Sequence, residues 1–322
     1  MAFISFGKID KNLIPIIIGC VFCFCNGLLN NYKGTILFEH IIIMNIIFEI
    51  SKLFTVIPFI ILKIRSKKVH SVDIRNKIAN NVLLFHKNNK MAAIRGKWIY
   101  ICISAIIHFF QSILLAYTLS MRTNFWIWEI EFTALFYYLI FKIKLYKHHY
   151  ISIILIILSG FIIDLIFENI QDDMTNNMSL VVIRFLREIL FSLNDVVDKY
   201  ILLKKYGSIY EISLFSGIIN TILFGIFSIL NYYSLKVDDF KQYFNNFKNM
   251  EILVAIGYMI IQLGLYLSVL ITNKNNTPCH IFIIFIFGRL AYYFDYSPGL
   301  IILYIFFILF ILFISLIFNE II

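Results

Sequence analysis

Long apolar stretches alternate with short polar segments along the whole chain. A run of about 18 or more apolar residues is long enough to cross a bilayer as an α-helix. From this pattern we predict an all-α integral membrane protein with ten transmembrane helices. The predicted spans, numbered one to ten, cover about residues 12–31, 37–62, 98–119, 124–141, 150–167, 179–202, 208–230, 250–272, 277–294 and 297–318.

The composition agrees with a membrane protein. Hydrophobic residues make up 61% of the 322 residues, charged residues make up 15%, and the mean hydropathy is +0.85. A soluble domain needs about 25% charged residues. Ten spans with short loops use nearly the whole chain, and no phosphate-binding loop, zinc-protease or serine-hydrolase motif occurs. We therefore expect neither an enzyme nor a protein that holds a cofactor or a metal ion.

The distribution of basic residues predicts the orientation. With the N-terminus in the cytosol, the cytosolic segments hold 18 Lys and Arg, ten of them in the 63–97 loop, and the opposite side holds 5. Because short cytosolic loops are enriched in Lys and Arg, both termini are predicted to be cytosolic. The net charge of +9 is thereby explained without a nucleic-acid partner. The 63–97 loop is instead expected to rest on anionic membrane lipids.

Polar residues of the first five spans recur in the same order in the second five. Span one and span six share the pattern Asn-x-x-x-Asx-x-Tyr, and spans three and eight each carry a glutamine. An odd number of spans per repeat places the two halves in opposite orientations, as in alternating-access carriers. We therefore predict an inverted five-plus-five repeat, with halves at 1–170 and 171–322. The matched pairs are Asn26 and Asn194, Asn30 and Asp198, Tyr32 and Tyr200, and Gln111 and Gln262.

Charged residues inside the spans are the candidate site. A charge at the bilayer centre costs about 2.5–3.5 kcal/mol, so each needs a partner or a watery cavity. Span two carries Glu49 and Lys52 one turn apart, and span six carries a helical stripe that includes Asp195. The predicted substrate-binding residues are Asn26, Glu49, Lys52, Gln111, Glu129, Arg184, Arg187, Glu188, Asn194, Asp198, Gln262, His280 and Arg289.

Three segments carry a resemblance to a known family. They are NDVVDKYILLKKYGSIYEISLFSGIINTI (194–222), TPCHIFIIFIF (277–287) and LIFNEII (316–322). They resemble the drug/metabolite transporter superfamily, in particular its eukaryotic branch similar to nucleotide-sugar transporters. The resemblance implies ten helices, an inverted five-plus-five repeat and cytosolic termini. It also implies an endomembrane location, of the Golgi or ER type or in another organelle, rather than the plasma membrane.

The leading functional hypothesis is a secondary carrier for a small anionic metabolite, such as a nucleotide sugar or a phosphate compound. Spans one to four and six to nine would line its cavity, and spans five and ten would lie outside, where they suit lipid or a homodimer contact. Lys52, Arg184, Arg187 and Arg289 would attract the anion, while Glu49 and Glu129 would balance charge or carry a proton. The alternative is a non-transporting scaffold or receptor, in which the same charges are structural ion pairs.

Overall fold

The computed structural model describes residues 12–30, 41–64, 96–118, 128–143, 145–168, 178–235, 249–291 and 298–319. Within these ranges the protein is all-helical, with ten α-helices and no β-strand. Each predicted span overlaps one of these helices, so the prediction of an all-α protein is confirmed. The helices are α1 (Ile14–Asn30), α2 (Ile41–Leu53), α3 (Lys97–Thr118), α4 (Trp128–Phe141), α5 (Lys147–Glu168), α6 (Met178–Lys204), α7 (Ile209–Leu235), α8 (Asn249–Asn275), α9 (Ile281–Ala291) and α10 (Pro298–Phe318).

Proline and hydroxyl residues set several helix boundaries. After α2 the chain makes a turn at 54–55 and resumes helical structure over 56–64. Pro58 lacks the N–H that would bond to the carbonyl of residue 54. At the turn, the Lys52 carbonyl accepts hydrogen bonds from the Thr55 N–H at 3.1 Å and from the Thr55 hydroxyl at 2.6 Å. A 3-10 turn at Pro278–His280, capped by Thr277, precedes α9. This turn makes α9 shorter than the predicted span at 277–294.

The described helices have the length and surface of a membrane protein. Four helical stretches are long and apolar enough to cross a bilayer. They are Ile42–Ile64, which continues from α2 through the turn at 54–55, Lys97–Leu115, Ile209–Asn231 and Ile252–Asn275. Large apolar side chains also point outward, as in α10, where Ile302 is 70% exposed. A soluble protein would bury such a surface, whereas lipid accommodates it.

The helices pack in a regular set of pairs. α1 lies against α8 and α9, and α6 lies against α3 and α4. α2 packs on α7, α5 packs on α10, α3 contacts α7, and α2 contacts α8. Neighbours in sequence, such as α4 and α5, or α9 and α10, make smaller contacts. The bundle is therefore held together mainly by contacts between the first five helices and the second five.

Polar contacts and an apolar cluster close one end of this bundle. Lys97 of α3 and Glu211 of α7 form a salt bridge of 2.7 Å. Lys199 of α6 donates to the carbonyl oxygens of Asn273, at 2.5 Å, and of Asn276. We refer to this end, where α6 and α8 finish and α3 and α7 begin, as the Lys199 end. Between these helices lies an apolar plug of fully buried side chains, namely Ile101, Ile201, Ile212 and Leu270.

A glycine permits the close packing of α2 on α7. A Cβ atom placed on Gly217 would lie 2.8 Å from the Lys52 Cβ and 3.0 Å from the Glu49 carbonyl oxygen. Small residues allow helix backbones to approach closely inside membranes, where packing drives association. Gly217 therefore sets the position of the α2 segment that carries Glu49 and Lys52.

We predict that Gly217→Ala destabilises the protein, because the added methyl group forces α2 away from α7. Overpacking of this kind costs about 1–3 kcal/mol, so thermal unfolding in detergent should begin at a lower temperature than for the wild type. Gly225→Ala in the same helix is the control, since nothing lies within 4 Å of its Cβ position. Equal melting temperatures for the two variants would contradict the close contact.

Candidate functional site

A cavity of about 380 Å³ lies inside the bundle. Its walls come from α1, α2, α3, α6, α8 and α9. The lining residues are Asn26, Met44, Asn45, Phe48, His108, Gln111, Ser112, Leu115, Phe191, Asn194, Asp195, Asp198, Tyr258, Gln262, Leu265, Tyr266, Val269 and Phe285. We expected α4 and α7 to contribute as well, but neither provides a described lining residue, because α4 packs behind α6 and α7 packs behind α2 and α3.

Five predicted residues meet at this cavity: Asn26, Gln111, Asn194, Asp198 and Gln262. They include two of the pairs that the repeat predicted to be equivalent, Asn26 with Asn194 and Gln111 with Gln262. The Gln262 amide donates to Asn26 Oδ1 at 2.7 Å and thereby joins α8 to α1. Residues separated by more than two hundred positions in sequence thus form one polar wall.

The α6 wall of the cavity carries two buried carboxylates. Asp198 accepts a hydrogen bond from the Ser104 hydroxyl of α3 at 2.6 Å. Asp195 also lines the cavity, and its Oδ2 atom is buried with no hydrogen-bond partner among the described residues. The sequence placed Asp195 in the charged stripe of span six, but we did not include it in the predicted site. Its position three residues before Asp198, on the same helix face, was the available signal.

Glu49 and Lys52 form an ion pair behind the cavity wall. The Lys52 ammonium lies 2.9 Å from Glu49 Oε1, and both side chains are 0% exposed. The ammonium also lies 4.3 Å from the ring centre of Phe48 and 4.2 Å from that of Tyr266. His108 Nε2 is 3.5 Å from the same Glu49 oxygen. We expected Glu49 and Lys52 to line the cavity, but the Phe48, His108 and Tyr266 rings form the wall there instead.

Four of the remaining predicted residues, Glu129, Arg187, Glu188 and His280, are not among the residues that line the cavity. Arg187 donates to its neighbour Glu188, and the backbone carbonyl of Glu129 accepts a hydrogen bond from Ser192 at 2.9 Å, which joins α4 to α6. His280 Nδ1 lies 2.8 Å from the Thr277 hydroxyl and belongs to the cap of the 3-10 turn. Arg184 and Arg289 lie on α6 and α9, and their side chains are outside the described part of the structure.

The charge on the described cavity wall is acidic. Asp195 and Asp198 line it, whereas no lysine or arginine does so within the described ranges. Five aromatic side chains besides His108 complete much of the surface, namely Phe48, Phe191, Tyr258, Tyr266 and Phe285. Nothing in the sequence indicated which aromatic residues these would be, because 34 phenylalanines and 19 tyrosines are spread over the spans. The wall can therefore attract positive charge and contact apolar or aromatic groups.

We predict that Lys52→Met and Glu49→Gln each destabilise the protein, because each leaves one polar or charged group buried without its partner. Breaking a buried ion pair typically costs about 3–5 kcal/mol. The double variant Glu49→Leu with Lys52→Met removes both charges and should recover much of the lost stability. Thermal unfolding in detergent provides the measurement. Single variants that melt like the wild type would show that the pair is not structural.

Comparison with known proteins does not assign the chain to a family. No protein-family model matches the sequence, and no curated protein matches it. The drug/metabolite transporter resemblance of residues 194–222 and 277–287 therefore stays a prediction. What the protein does must be argued from the cavity and from the bundle around it.

Proposed function

We propose that the protein is a secondary carrier that moves a small solute through the central cavity. The observation that carries this proposal is a cavity of about 380 Å³, with amide and carboxylate side chains on its wall, inside a bundle whose outer surface is apolar. Small-molecule sites commonly have volumes of about 300–1,000 Å³ and few polar groups. Polar groups inside a membrane are costly and mark substrate or ion pathways.

The packing of the helices supports two repeated halves. If α1–α5 are exchanged for α6–α10, the contacts of α1 with α8 and α9 become those of α6 with α3 and α4. The contact of α3 with α7 becomes that of α8 with α2, while the α2–α7 and α5–α10 pairs map onto themselves. We infer an inverted repeat with halves 1–170 and 171–322, because five spans per half reverse the direction of the second half.

Contacts at the Lys199 end support a topology of ten alternating spans. All of these contacts lie at one end of the bundle, where the odd-numbered helices begin and the even-numbered helices end. Because basic residues are concentrated in the loops that join helices at this end, we place it, and both termini, in the cytosol. The contacts are Asn276 with Asn12, Phe59 with Phe215, Lys97 with Glu211, Phe141 with Tyr200, His149 with Phe318, and Asn319 with Cys279.

The cavity extends from Asp198 and Val269, close to the Lys199 end, into the opposite half of the bundle. Its lining reaches Asn26 near the end of α1, Met44 near the start of α2 and Leu115 near the end of α3. On the other side, the apolar plug and the Lys199 contacts separate it from the cytosol. In an alternating-access cycle this conformation faces away from the cytosol, and the plug must separate for the solute to leave on the cytosolic side.

Several buried charges also fit the alternative of a non-transporting scaffold. The Lys52–Glu49 pair, the Arg187–Glu188 pair and the Lys199 contacts each satisfy a charge within the fold. Asp195 Oδ2, in contrast, has no hydrogen-bond partner within the described ranges. The compartment rests on the resemblance alone, and we propose an endomembrane.

We predict that Gln111→Trp abolishes solute uptake, because the larger side chain fills the cavity. Purified protein in liposomes would be tested with a radiolabelled panel of nucleotide sugars, phosphate compounds and amines. For the solute that the wild type transports, uptake should fall by at least about tenfold, which corresponds to about 1.4 kcal/mol of lost binding free energy. The control is Ile154→Trp on α5, where the side chain is 56% exposed on the outer surface.

Two results would contradict the carrier proposal. Wild-type protein that takes up no member of the panel would favour the scaffold alternative. Transport by Gln111→Trp at the same rate as by Ile154→Trp would show that the solute does not pass through this cavity.

A further inference from the structure

We infer that the cavity binds an organic cation, a compound with one ammonium or similar positive group on an apolar or aromatic body. The inference rests on the proposed function, since it identifies the solute class of the same cavity. It differs from the anionic metabolite that the basic residues of the spans led us to expect.

One carboxylate oxygen on the cavity wall is buried without a hydrogen-bond partner among the described residues. Asp195 is 5% exposed and lines the cavity, and its Oδ2 atom has no hydrogen-bond partner within the described ranges. Asp198, 2% exposed, lines the same wall and receives a hydrogen bond from Ser104. A buried carboxylate is stable only if a positive group or hydrogen-bond donors compensate for the lost water. A bound cation would supply that compensation from inside the cavity.

The lysines nearest to these aspartates already have partners elsewhere in the fold. Lys52 donates to Glu49 at 2.9 Å, although its ammonium also attracts Asp198 over a longer distance. Lys199 follows Asp198 in α6, but its ammonium donates to carbonyl oxygens at the end of α8. Glu49 and Asp198 therefore share the single charge of Lys52, and an anion in the cavity would meet Asp195 and Asp198 without a lysine or arginine on the described wall.

Two aromatic rings of the cavity wall already contact one ammonium, that of Lys52. Lys52 lies 4.3 Å from the ring centre of Phe48 and 4.2 Å from that of Tyr266, and both rings line the cavity. Aromatic faces attract cations through their quadrupole, with the greatest effect where water is excluded. Phe191, Tyr258 and Phe285 offer further aromatic surface for the body of the ligand. The volume of about 380 Å³ suits an amine with one ring.

The test compares three compounds of similar shape that differ in charge. They are 2-phenylethylamine, which is protonated at neutral pH, the neutral 3-phenylpropan-1-ol, and the anion 3-phenylpropionate. Binding of each to the full-length protein in nanodiscs would be measured directly with radiolabelled ligand. We expect the amine to bind at least about tenfold more tightly than the alcohol, because a hydrogen bond to a charged group is worth about 1.5–3 kcal/mol. The carboxylate should bind more weakly than either.

Variants then assign the effect to the α6 carboxylates. Asp195→Asn and Asp198→Asn should each weaken amine binding by about tenfold or more and leave alcohol binding nearly unchanged. Glu131→Gln on α4 is the matched control, since both oxygens of Glu131 are buried without a hydrogen-bond partner among the described residues, and the side chain is not part of the cavity wall. If an aspartate variant does not fold, the comparison of the three compounds on the wild type still decides.

The possible outcomes separate this inference from the carrier proposal. Amine binding no tighter than alcohol binding, or tighter binding of the carboxylate, would overturn the cation inference, while solute uptake blocked by Gln111→Trp would still support a carrier. Failure of all three compounds to bind would also overturn the inference, and the uptake panel would then decide the carrier proposal on its own. Equal losses in Asp195→Asn and Glu131→Gln would assign the effect to general destabilisation and reject the role of Asp195.

Discussion

A charged side chain buried among apolar helices must be compensated by another group of the protein, and this constraint accounts for much of the interior. Lys52 meets it through Glu49 and two aromatic rings, and Lys199 meets it through the carbonyl oxygens that end α8. These contacts hold α2 and α6 against α8. Asp195 has no such partner for one of its oxygens within the described residues. Unlike Glu131, whose oxygens also lack a partner there, Asp195 lines the cavity, so a group inside the cavity can compensate for it.

The sequence predicted the helices well, because apolar runs of membrane length have few alternative structures. It also predicted five lining residues, since the repeated positions of Asn26 and Asn194, and of Gln111 and Gln262, project into the same space. It did not predict that Lys52 would be covered by Phe48 and Tyr266. The direction of a lysine side chain inside a bundle depends on which helices pack beside it, and the sequence of one span does not show which helices these are.

The same reasoning explains why charge counts along the spans pointed to an anion. Considered without their neighbours, the basic residues of the spans suggested a basic cavity. These residues are Lys52, Arg184, Arg187 and Arg289. In the structure, Lys52 and Arg187 are paired with the glutamates beside them, and the described wall retains Asp195 and Asp198. The class of solute that the cavity favours depends on the charges left on its wall after internal pairing. Only the packing of the helices determines which charges those are.

The proposed carrier function depends most on a polar cavity that is closed at the Lys199 end. The most direct measurement uses single cysteines in a variant whose five native cysteines are replaced, studied in nanodiscs with a small hydrophilic thiol reagent. A cysteine at Gln262, on the cavity wall, should react quickly, whereas one at Thr272, which is 0% exposed near the apolar plug, should be protected. Protection at position 262 equal to that at 272 would contradict a water-filled cavity, and rapid reaction at 272 would contradict the closed end.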